Sequence, residues 1–343
     1  MNVKTKKRLK VIAIILAAVI PIYTIIALLP RPRNYGARNP MMKDGELPIL
    51  IAHGGGNKEF PDNTLEAFYN AYSVDSRVMM ETDVSITKDG VLILSHDVTL
   101  DRKTNVTGYI SDWNYTDLIS QRVDFGYTND TEDGILVEGS ARVHFTGADG
   151  KEKYPTDVKY PEGVTPRDNE VFLATTLEEL IVAFPNNRIN VEIKQEGEHG
   201  ARALAEAIRL IEKHDAFDRV VLASFHSQSY NSFRELQATN EVPDEFMYSP
   251  GTSGAVKYFL LYTLGLDVFF GDGICVLQLP DEMYGIHLDK ASLVANAHRH
   301  NVAVHYWTIN DKEVMRHLIE IETDGIMTDY PHRLAEVYEE YQK

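Results

Sequence analysis

VMMETDVSITKDGVLILSHD, residues 78–97, combines an apolar strand, a tight turn and a second apolar strand. Glu81 and Asp83 lie two positions apart in the first strand, so their side chains point to the same face. Asp89-Gly90 is a strong hairpin signal, and the returning strand brings His96 back toward the end where the carboxylates lie. Because a face with two carboxylates is costly to bury without a cation between them, the stretch predicts a metal site beside a histidine.

The preceding strand positions a second histidine. Residues 49–52 form a short apolar run bounded by a turn, which is typical of a fully buried strand, and His53 follows where that strand ends. One histidine is therefore expected on each side of the proposed metal. Two histidines with two carboxylates indicate acid-base chemistry beside a metal ion.

The rest of the chain alternates strand patterns with helix patterns. Strands are predicted at 49–52, 78–84, 189–194, 219–224, 245–248, 284–288, 302–307 and 325–328, and helices at 63–73, 176–184, 198–214, 227–238, 290–300 and 311–321. Eight strands alternating with helices predict an α/β fold, a (β/α)8 TIM barrel.

A long segment, residues 98–172, separates the second strand and its hairpin from the second helix. It is rich in Asp, Gly, Tyr and Thr, which predicts an irregular or β-rich insertion. Loops at the C-terminal face of a barrel hold the site, so we expect the insertion to shape substrate access. A mobile surface excursion is the alternative.

A series of short motifs runs in order from residue 48 to about residue 335, apart from the insertion. The motifs are His53-Gly54, DNTLEAF (62–68), ETDV (81–84), TKDG (87–90), His96-Asp97, Gly108, TLEEL (176–180), VEIK (191–194), SF (224–225), WTIN (307–310) and DGIMTDYP (324–331). Together they resemble the glycerophosphodiester phosphodiesterase family, and so many segments in one order are not expected by chance.

The resemblance implies a phosphodiester hydrolase and assigns roles to nine residues. His53 and His96 are the expected general acid and base, without an assignment of which is which. The expected metal ligands are Glu81, Asp83 and Glu192, and the expected substrate or phosphate contacts are Lys194, Gly54, Asn63 and Trp307. An oxygen-rich site suits Ca²⁺ or Mg²⁺ rather than zinc. A structural salt bridge is the alternative for the Glu192–Lys194 pair, and core packing for Trp307.

Two departures from the family pattern leave the substrate open. Gly54 stands where the family usually has an Arg that grips phosphate, and Asp62 replaces a Glu before Asn63. Glycine N–H groups of residues 54–56 could bind an anion instead. Besides hydrolysis of glycerophosphodiesters to an alcohol and glycerol phosphate, two alternatives therefore stand. One is headgroup cleavage of a lysophospholipid or sphingolipid in the manner of a phospholipase D, with a cyclic phosphate as a possible first product. The other is a non-catalytic phosphodiester-binding protein.

The N-terminal residues predict a membrane anchor. The tail 1–10 is rich in basic residues, and the uncharged stretch 11–29 is long enough to span a bilayer. Residues 30–47 are predicted to be a tether between this span and the barrel at 48–335. Residues 336–343 are predicted to be a C-terminal tail. The positive-inside rule then predicts a single-pass protein of the cell membrane with its catalytic domain outside the cytoplasm. A cleaved signal peptide is the alternative.

Charge excludes one class of partner. The net charge is −17, although the first 35 residues contain seven Lys and Arg and no acid. A domain this acidic does not bind nucleic acid by electrostatics. The expected partner is a small-molecule or lipid phosphodiester, whose phosphate must be captured locally by a metal and a cationic side chain.

Overall fold

A computed structural model of the chain describes residues 3–36, 38–128 and 142–342. The strands are β1 Ile49–Ala52, β2 Met79–Ile86, β3 Leu92–Leu94, β4 Tyr127–Thr128, β5 Val143–His144, β6 Ile189–Ile193, β7 Val220–Ala223, β8 Met247–Tyr248, β9 Val276–Leu279, β10 Glu282–Met283, β11 Ile286–His287, β12 Ala303–Tyr306 and β13 Gly325–Thr328. The α-helices are α1 Val3–Leu28, α2 Leu65–Val74, α3 Tyr115–Ser120, α4 Leu177–Ala183, α5 Gly197–Lys213, α6 Ser227–Ala238, α7 Thr252–Thr263, α8 Ala291–Arg299, α9 Lys312–Glu320 and α10 Pro331–Tyr341.

Parallel strands form a nearly closed barrel in the order β8-β7-β6-β2-β1-β13-β12-β9. The two ends of this order approach each other where the Cys275 N–H donates to the Tyr248 carbonyl, at 3.2 Å. Buried apolar side chains of the strands and of the surrounding helices form the core. The TIM-barrel prediction is confirmed, and so is the hairpin, since β3 pairs antiparallel with the end of β2.

One predicted strand is wrong. Residues 284–288 fall on the short hairpin of β10 and β11, whereas the barrel strand is β9. In β9 the polar Gln278 donates to Asn190 at 3.0 Å across the barrel. The strand was missed because the apolar sequence that leads to β9 also contains α7. The periodic signal of the strand therefore merges with that of a helix.

The described part of the insertion packs as an extension of the barrel. It contains α3 and the β4–β5 hairpin, and its buried apolar residues join the main core: Leu100, Ile110, Leu118, Phe125 and Phe172. It also contacts the barrel mouth, since the Ala148 N–H donates to the Lys58 carbonyl at 2.8 Å. This packing disfavours a mobile excursion for the described residues, and residues 129–141 lie outside them.

The two segments that flank the barrel differ from their predictions. The described residues of 30–47 lack strands and helices, as a tether would, but they pack across the N-terminal end of the barrel with Met41 fully buried. The Nε2 atom of His305 in β12 lies 2.8 Å from the Met41 carbonyl. The predicted tail at 336–343 continues α10 through Tyr341, because Val337 and Tyr338 bury against the core.

The predicted apolar N-terminal helix is present as α1. Over Lys7–Leu28 it is long and apolar enough to cross a membrane by length and composition. Its described side chains are mostly exposed, in contrast with the amphipathic barrel helices.

Candidate active site

Three carboxylates meet at the C-terminal end of the barrel. Glu81 and Asp83 lie on β2, and Glu192 lies on β6 directly beside Asp83 in the parallel register. One oxygen from each carboxylate lies within 4.8 Å of the others. The structure therefore brings together the three residues that the sequence assigns to a metal.

The electrostatics of this cluster fit a hard cation. Burial and the charge of Asp83 raise the pKa of Glu81 to about 7, and they also raise the pKa of Glu192. A divalent cation among these carboxylates would offset the repulsion that raises both pKa values. Oxygen donors of this kind suit Ca²⁺ or Mg²⁺.

Lys194 supplies a positive charge inside the cluster. Its Nζ atom lies 3.0 Å from Asp83 Oδ1 and 2.9 Å from Glu192 Oε1. Burial opposes its ionisation, but these carboxylates raise the pKa of Lys194 above its usual value. The ammonium stays charged, as a phosphate contact requires.

His53 follows β1 and is held from behind by Asp329. Its Nδ1 atom lies 2.6 Å from Asp329 Oδ1. Burial opposes the charged imidazole, but the hydrogen bond with Asp329 and the charge of Glu81 raise the pKa of His53 to about 10. Asn310 fixes the carboxylate in turn, since its Nδ2 donates to Asp329 Oδ2 at 2.7 Å.

His96 follows β3 and has an equivalent partner. Its Nδ1 atom lies 3.0 Å from Asp97 Oδ1, and this hydrogen bond raises the pKa of His96. The His96 side chain is 52% exposed, whereas that of His53 is 26% exposed. Burial raises the pKa of Asp83, but the charges of Lys194, His96 and His53 lower it by more, so the net pKa of Asp83 is below its usual value. Both histidines therefore act on the same carboxylate.

Two predicted substrate contacts instead hold the carboxylates in this structure. The Gly54 N–H donates to Glu81 Oε2 at 2.8 Å. Asn63 donates to Asp83 Oδ2 at 3.1 Å and accepts from the Thr82 hydroxyl at 2.6 Å. Both contacts orient the proposed metal ligands.

The surroundings of Gly54 contain cations that the sequence assignment missed. A Cβ at position 54 would lie 3.0 Å from the Cβ of Asp62. The Asp62 carboxylate pairs with Lys103 Nζ at 2.8 Å, and Arg102 Nη2 lies 3.8 Å from Asp62 Oδ2. Arg102 and Lys103 of the insertion therefore place positive charge close to Gly54, where the family usually has an Arg.

Two aromatic rings lie at the mouth near Lys194. The rings of Phe225 and Trp307 meet edge to face at 5.5 Å, and Lys194 Nζ lies 5.7 Å from the Phe225 centroid. Phe225 is 49% exposed, so this aromatic pair can contact a substrate.

Comparison with known proteins decides the family. Residues 53–333 match the model of the glycerophosphoryl diester phosphodiesterase family, a span that includes the complete site. The chain belongs to this family. It is accordingly a phosphodiesterase.

Two curated relatives share most of the chain. The glycerophosphodiester phosphodiesterase of Caldanaerobacter subterraneus is 26% identical over 290 residues, which cover 83% of this chain and 96% of the relative. The human lysophospholipase D GDPD3 is 23% identical over 303 residues, which cover 83% of each chain.

Solved structures share the barrel. The glycerophosphodiester phosphodiesterase from Agrobacterium tumefaciens has a TM-score of 0.58 at 17% identity, covering 84% of this chain and 100% of that one. A phosphodiesterase from Oleispira antarctica, solved with the product sn-glycerol-3-phosphate, has a TM-score of 0.59 at 18% identity, covering 85% of this chain and 97% of that one. At this identity the likeness establishes the fold.

In this member of the phosphodiesterase family, each residue that sequence reasoning missed contacts an assigned site residue directly or through one other residue. They are Asp329, Asn310, Asp97, Arg102, Lys103 and Phe225. Asp329 and Asn310 belong to motifs at strand ends, which was an available signal. Arg102-Lys103 is a basic pair within a largely acidic segment, which was a weaker one.

Proposed function

We propose that this enzyme hydrolyses glycerophosphodiesters to an alcohol and glycerol phosphate with the help of a divalent cation, Ca²⁺ or Mg²⁺. The observation that carries the proposal is the convergence of Glu81, Asp83 and Glu192 with two carboxylate-held histidines at the barrel mouth. A cation held by these carboxylates would polarise the phosphoryl group and offset developing charge. Lys194 adds a second positive charge for a phosphate oxygen.

The histidines divide the proton transfers. One imidazole removes the proton of the attacking oxygen, and the other protonates the leaving alkoxide. Asp329 holds Nδ1 of His53 and Asp97 holds Nδ1 of His96, so each ring keeps Nε2 for the substrate. The attacking oxygen is that of water or of a neighbouring substrate hydroxyl, and the latter gives a cyclic phosphate first.

Headgroup cleavage of lysophospholipids is the second candidate. The human relative named lysophospholipase D supports it, because that protein matches 83% of this chain, the same share as the glycerophosphodiester phosphodiesterase relative. Both reactions break a phosphodiester beside a glycerol hydroxyl. They differ in whether an acyl chain is present.

We place the enzyme at the cell membrane as a single-pass protein with its barrel outside the cytoplasm. The support is helix α1, which includes the apolar span Lys7–Leu28 and in which a cluster of Lys and Arg at residues 4–10 precedes the uncharged stretch that begins at residue 11. Carbonate extraction should leave the full chain in the membrane fraction, and added protease should reach the barrel from outside. A soluble mature chain that begins after residue 25 would replace the anchor with a cleaved signal.

Activity is tested with a substrate panel. The full chain is assayed on glycerophosphodiesters and lysolipids that carry the same headgroups, with mass detection of glycerol phosphate and cyclic phosphate. Release of the alcohol in a cation-dependent reaction is the expected result. Tight binding without release from any substrate would instead support the phosphodiester-binding alternative.

A further inference from the structure

One side chain joins the anchor helix to the barrel. The Arg31 guanidinium donates to the Ala27 and Leu29 carbonyls, at 2.9 and 2.8 Å, at the end of α1. The same guanidinium pairs with Asp267 at 3.0 Å. The Asp267 side chain is 3% exposed and is also held by His300 at 3.1 Å. The end of α1 is therefore fixed to the barrel rather than connected to it by slack chain.

The point of attachment lies at the N-terminal end of the barrel. The segment after Arg31 crosses the starts of several strands. Asn34 Nδ2 donates to the Phe270 carbonyl at 3.3 Å, Asn39 Nδ2 donates to the Cys275 carbonyl at 2.6 Å, and the Asn34 N–H donates to the His300 carbonyl at 2.9 Å. The histidines and carboxylates of the site lie at the opposite ends of the strands.

The surface around this attachment is partly apolar. Helix α7 runs from the mouth toward the base. Three exposed apolar side chains lie at its basal end: Leu260 on the helix is 54% exposed, and Leu264 and Phe269 after the helix are 54% and 62% exposed. Arg33 and Arg299 are exposed near the same attachment, since Arg33 precedes Asn34, which contacts Phe270, and Arg299 Nη2 lies 3.6 Å from Asp267 Oδ2. We call the three apolar residues and the two exposed arginines the basal rim. Exposed apolar residues with flanking arginines suit the boundary between acyl chains and phospholipid headgroups.

We propose that the basal rim rests on the outer surface of the membrane and that the mouth opens away from the bilayer. The enzyme then acts on water-soluble glycerophosphodiesters without acyl chains rather than on lipids in its own membrane. This inference rests on the proposed phosphodiester hydrolysis and on α1 as the anchor. It selects between the two substrate classes that the site chemistry allows.

The dimensions of the barrel support this selection. The four residues of β1 separate the base from His53 by about 13 Å at ~3.3 Å per residue. A headgroup layer is only about 5–8 Å thick. A membrane lipid would have to leave the bilayer and pass around the barrel to reach the carboxylates, whereas a soluble diester diffuses directly into the mouth.

The mouth carries its own exposed aromatic residue, which makes the orientation testable. Tyr284 in the turn between β10 and β11 is 96% exposed, and Ile286 in the same hairpin is 48% exposed. This hairpin follows β9 at the C-terminal end of the barrel. Contact of Tyr284 with lipid would describe the opposite orientation.

The orientation is measured in proteoliposomes with a fluorophore on single introduced cysteines. Leu264→Cys and Phe269→Cys report on the base, and Tyr284→Cys and Tyr109→Cys report on the mouth and the insertion. Unmodified protein is the labelling control, because its Cys275 is fully buried. Phospholipids that carry a quencher in the acyl chain should quench the basal labels at least ~2-fold more than the mouth labels. Quenching of the label at 284 to the same degree overturns the orientation.

The substrate class is measured on the same preparations with glycerophosphocholine and lysophosphatidylcholine, which share a phosphodiester and a headgroup. The ratio of kcat/KM for the soluble over the acylated substrate should rise at least ~10-fold from detergent solution to the bilayer. An unchanged ratio overturns the inference, because selection would then come from the pocket. Absence of hydrolysis of both substrates refutes the proposed function, while the quenching measurement still decides the orientation.

A longer connection separates orientation from other causes. Insertion of six Gly and Ser residues between Leu29 and Pro30 releases the barrel from α1 without changing the site. The bilayer ratio should then fall toward the detergent value. The matched control is the same insertion after Gly163, an exposed loop position where a Cβ would meet nothing within 4 Å. An equal fall in both insertion variants would count against the inference.

Discussion

The Nδ1 atom of His53 lies 2.6 Å from Oδ1 of Asp329, across the junction of the first and last barrel strands. Asn310 holds the other carboxylate oxygen at 2.7 Å. The pair therefore fixes the orientation of the ring and stabilises its charged form. Both effects depend on barrel closure, since 276 positions separate the two residues in sequence.

Asp329→Asn should lower kcat by about 10²-fold or more while preserving the fold. The reason is that the amide no longer holds the His53 ring in place or stabilises its charged form. Removal of the carboxylate also lowers the pKa of His53, which the hydrogen bond with Asp329 raises. If His53 is the acid, the alkaline limb of the rate profile moves to lower pH. If it is the base, the acidic limb moves to lower pH. The pH dependence of kcat measures this, and a profile with both limbs unchanged contradicts the role of Asp329.

Local sequence was sufficient to predict much of the barrel and the convergence of Glu81, Asp83 and Glu192. The apolar run of β1 and the period-two carboxylates of β2 carry their own signals, because strand direction and side-chain face follow from a few neighbouring residues. The outcome for β9 shows the limit. The apolar pattern of β9 follows the apolar helix α7, and only the closed barrel shows which of the two segments is the strand.

Other features depend on distant contacts that a pattern does not encode. Residues 30–47 look like a linker by composition, yet Met41 buries against β12, far along the chain. Gly54 and Asn63 have the chemistry of anion contacts, but the fold turns them toward Glu81 and Asp83. Residue type predicts what a side chain can bind, whereas packing decides its partner.

Metal removal should abolish activity. Chelation should stop turnover and Ca²⁺ or Mg²⁺ should restore it, since three clustered carboxylates, two of them buried, form an oxygen-rich site that suits a divalent cation. Glu81→Ala, Asp83→Ala and Glu192→Ala should each weaken cation binding, measured by calorimetry, and slow turnover. Glu196→Ala, at an exposed residue just beyond β6, is the control. Full activity of metal-free protein in excess chelator would exclude the metal mechanism.

Cation binding should depend on pH through Glu81. Burial and Asp83 raise its pKa to about 7, so below that pH a cation must displace a proton. The affinity should rise with pH, up to about tenfold per unit below pH 7, and level off above it. Calorimetry at pH 6 in two buffers with different ionisation enthalpies should detect proton release. Equal heats in both buffers would contradict this linkage.

The pair of buried Lys103 and partly buried Asp62 should be important for stability. Lys103→Met leaves the Asp62 carboxylate without its 2.8 Å partner, and because Arg102 remains 3.8 Å away the loss should stay below the ~3–5 kcal/mol of a fully buried pair. The double variant with Asp62→Asn should recover much of the loss, as measured by urea unfolding. Lys153→Met, which breaks the pair with the exposed Asp149, is the control and should change stability little. Equal losses in the single and double variants would refute the coupling.

The roles of the two histidines can be separated by the leaving group. General acid-base residues typically contribute on the order of 10²- to 10⁴-fold, so His53→Ala and His96→Ala should each lose at least ~100-fold in kcat while retaining the cation. A nitrophenyl phosphodiester needs little protonation of its leaving oxygen. The variant that lacks the acid should therefore be partly rescued on this substrate, and the variant that lacks the base should remain slow. Equal losses on both substrates for both variants would indicate that the histidines orient the substrate and that another group transfers the protons.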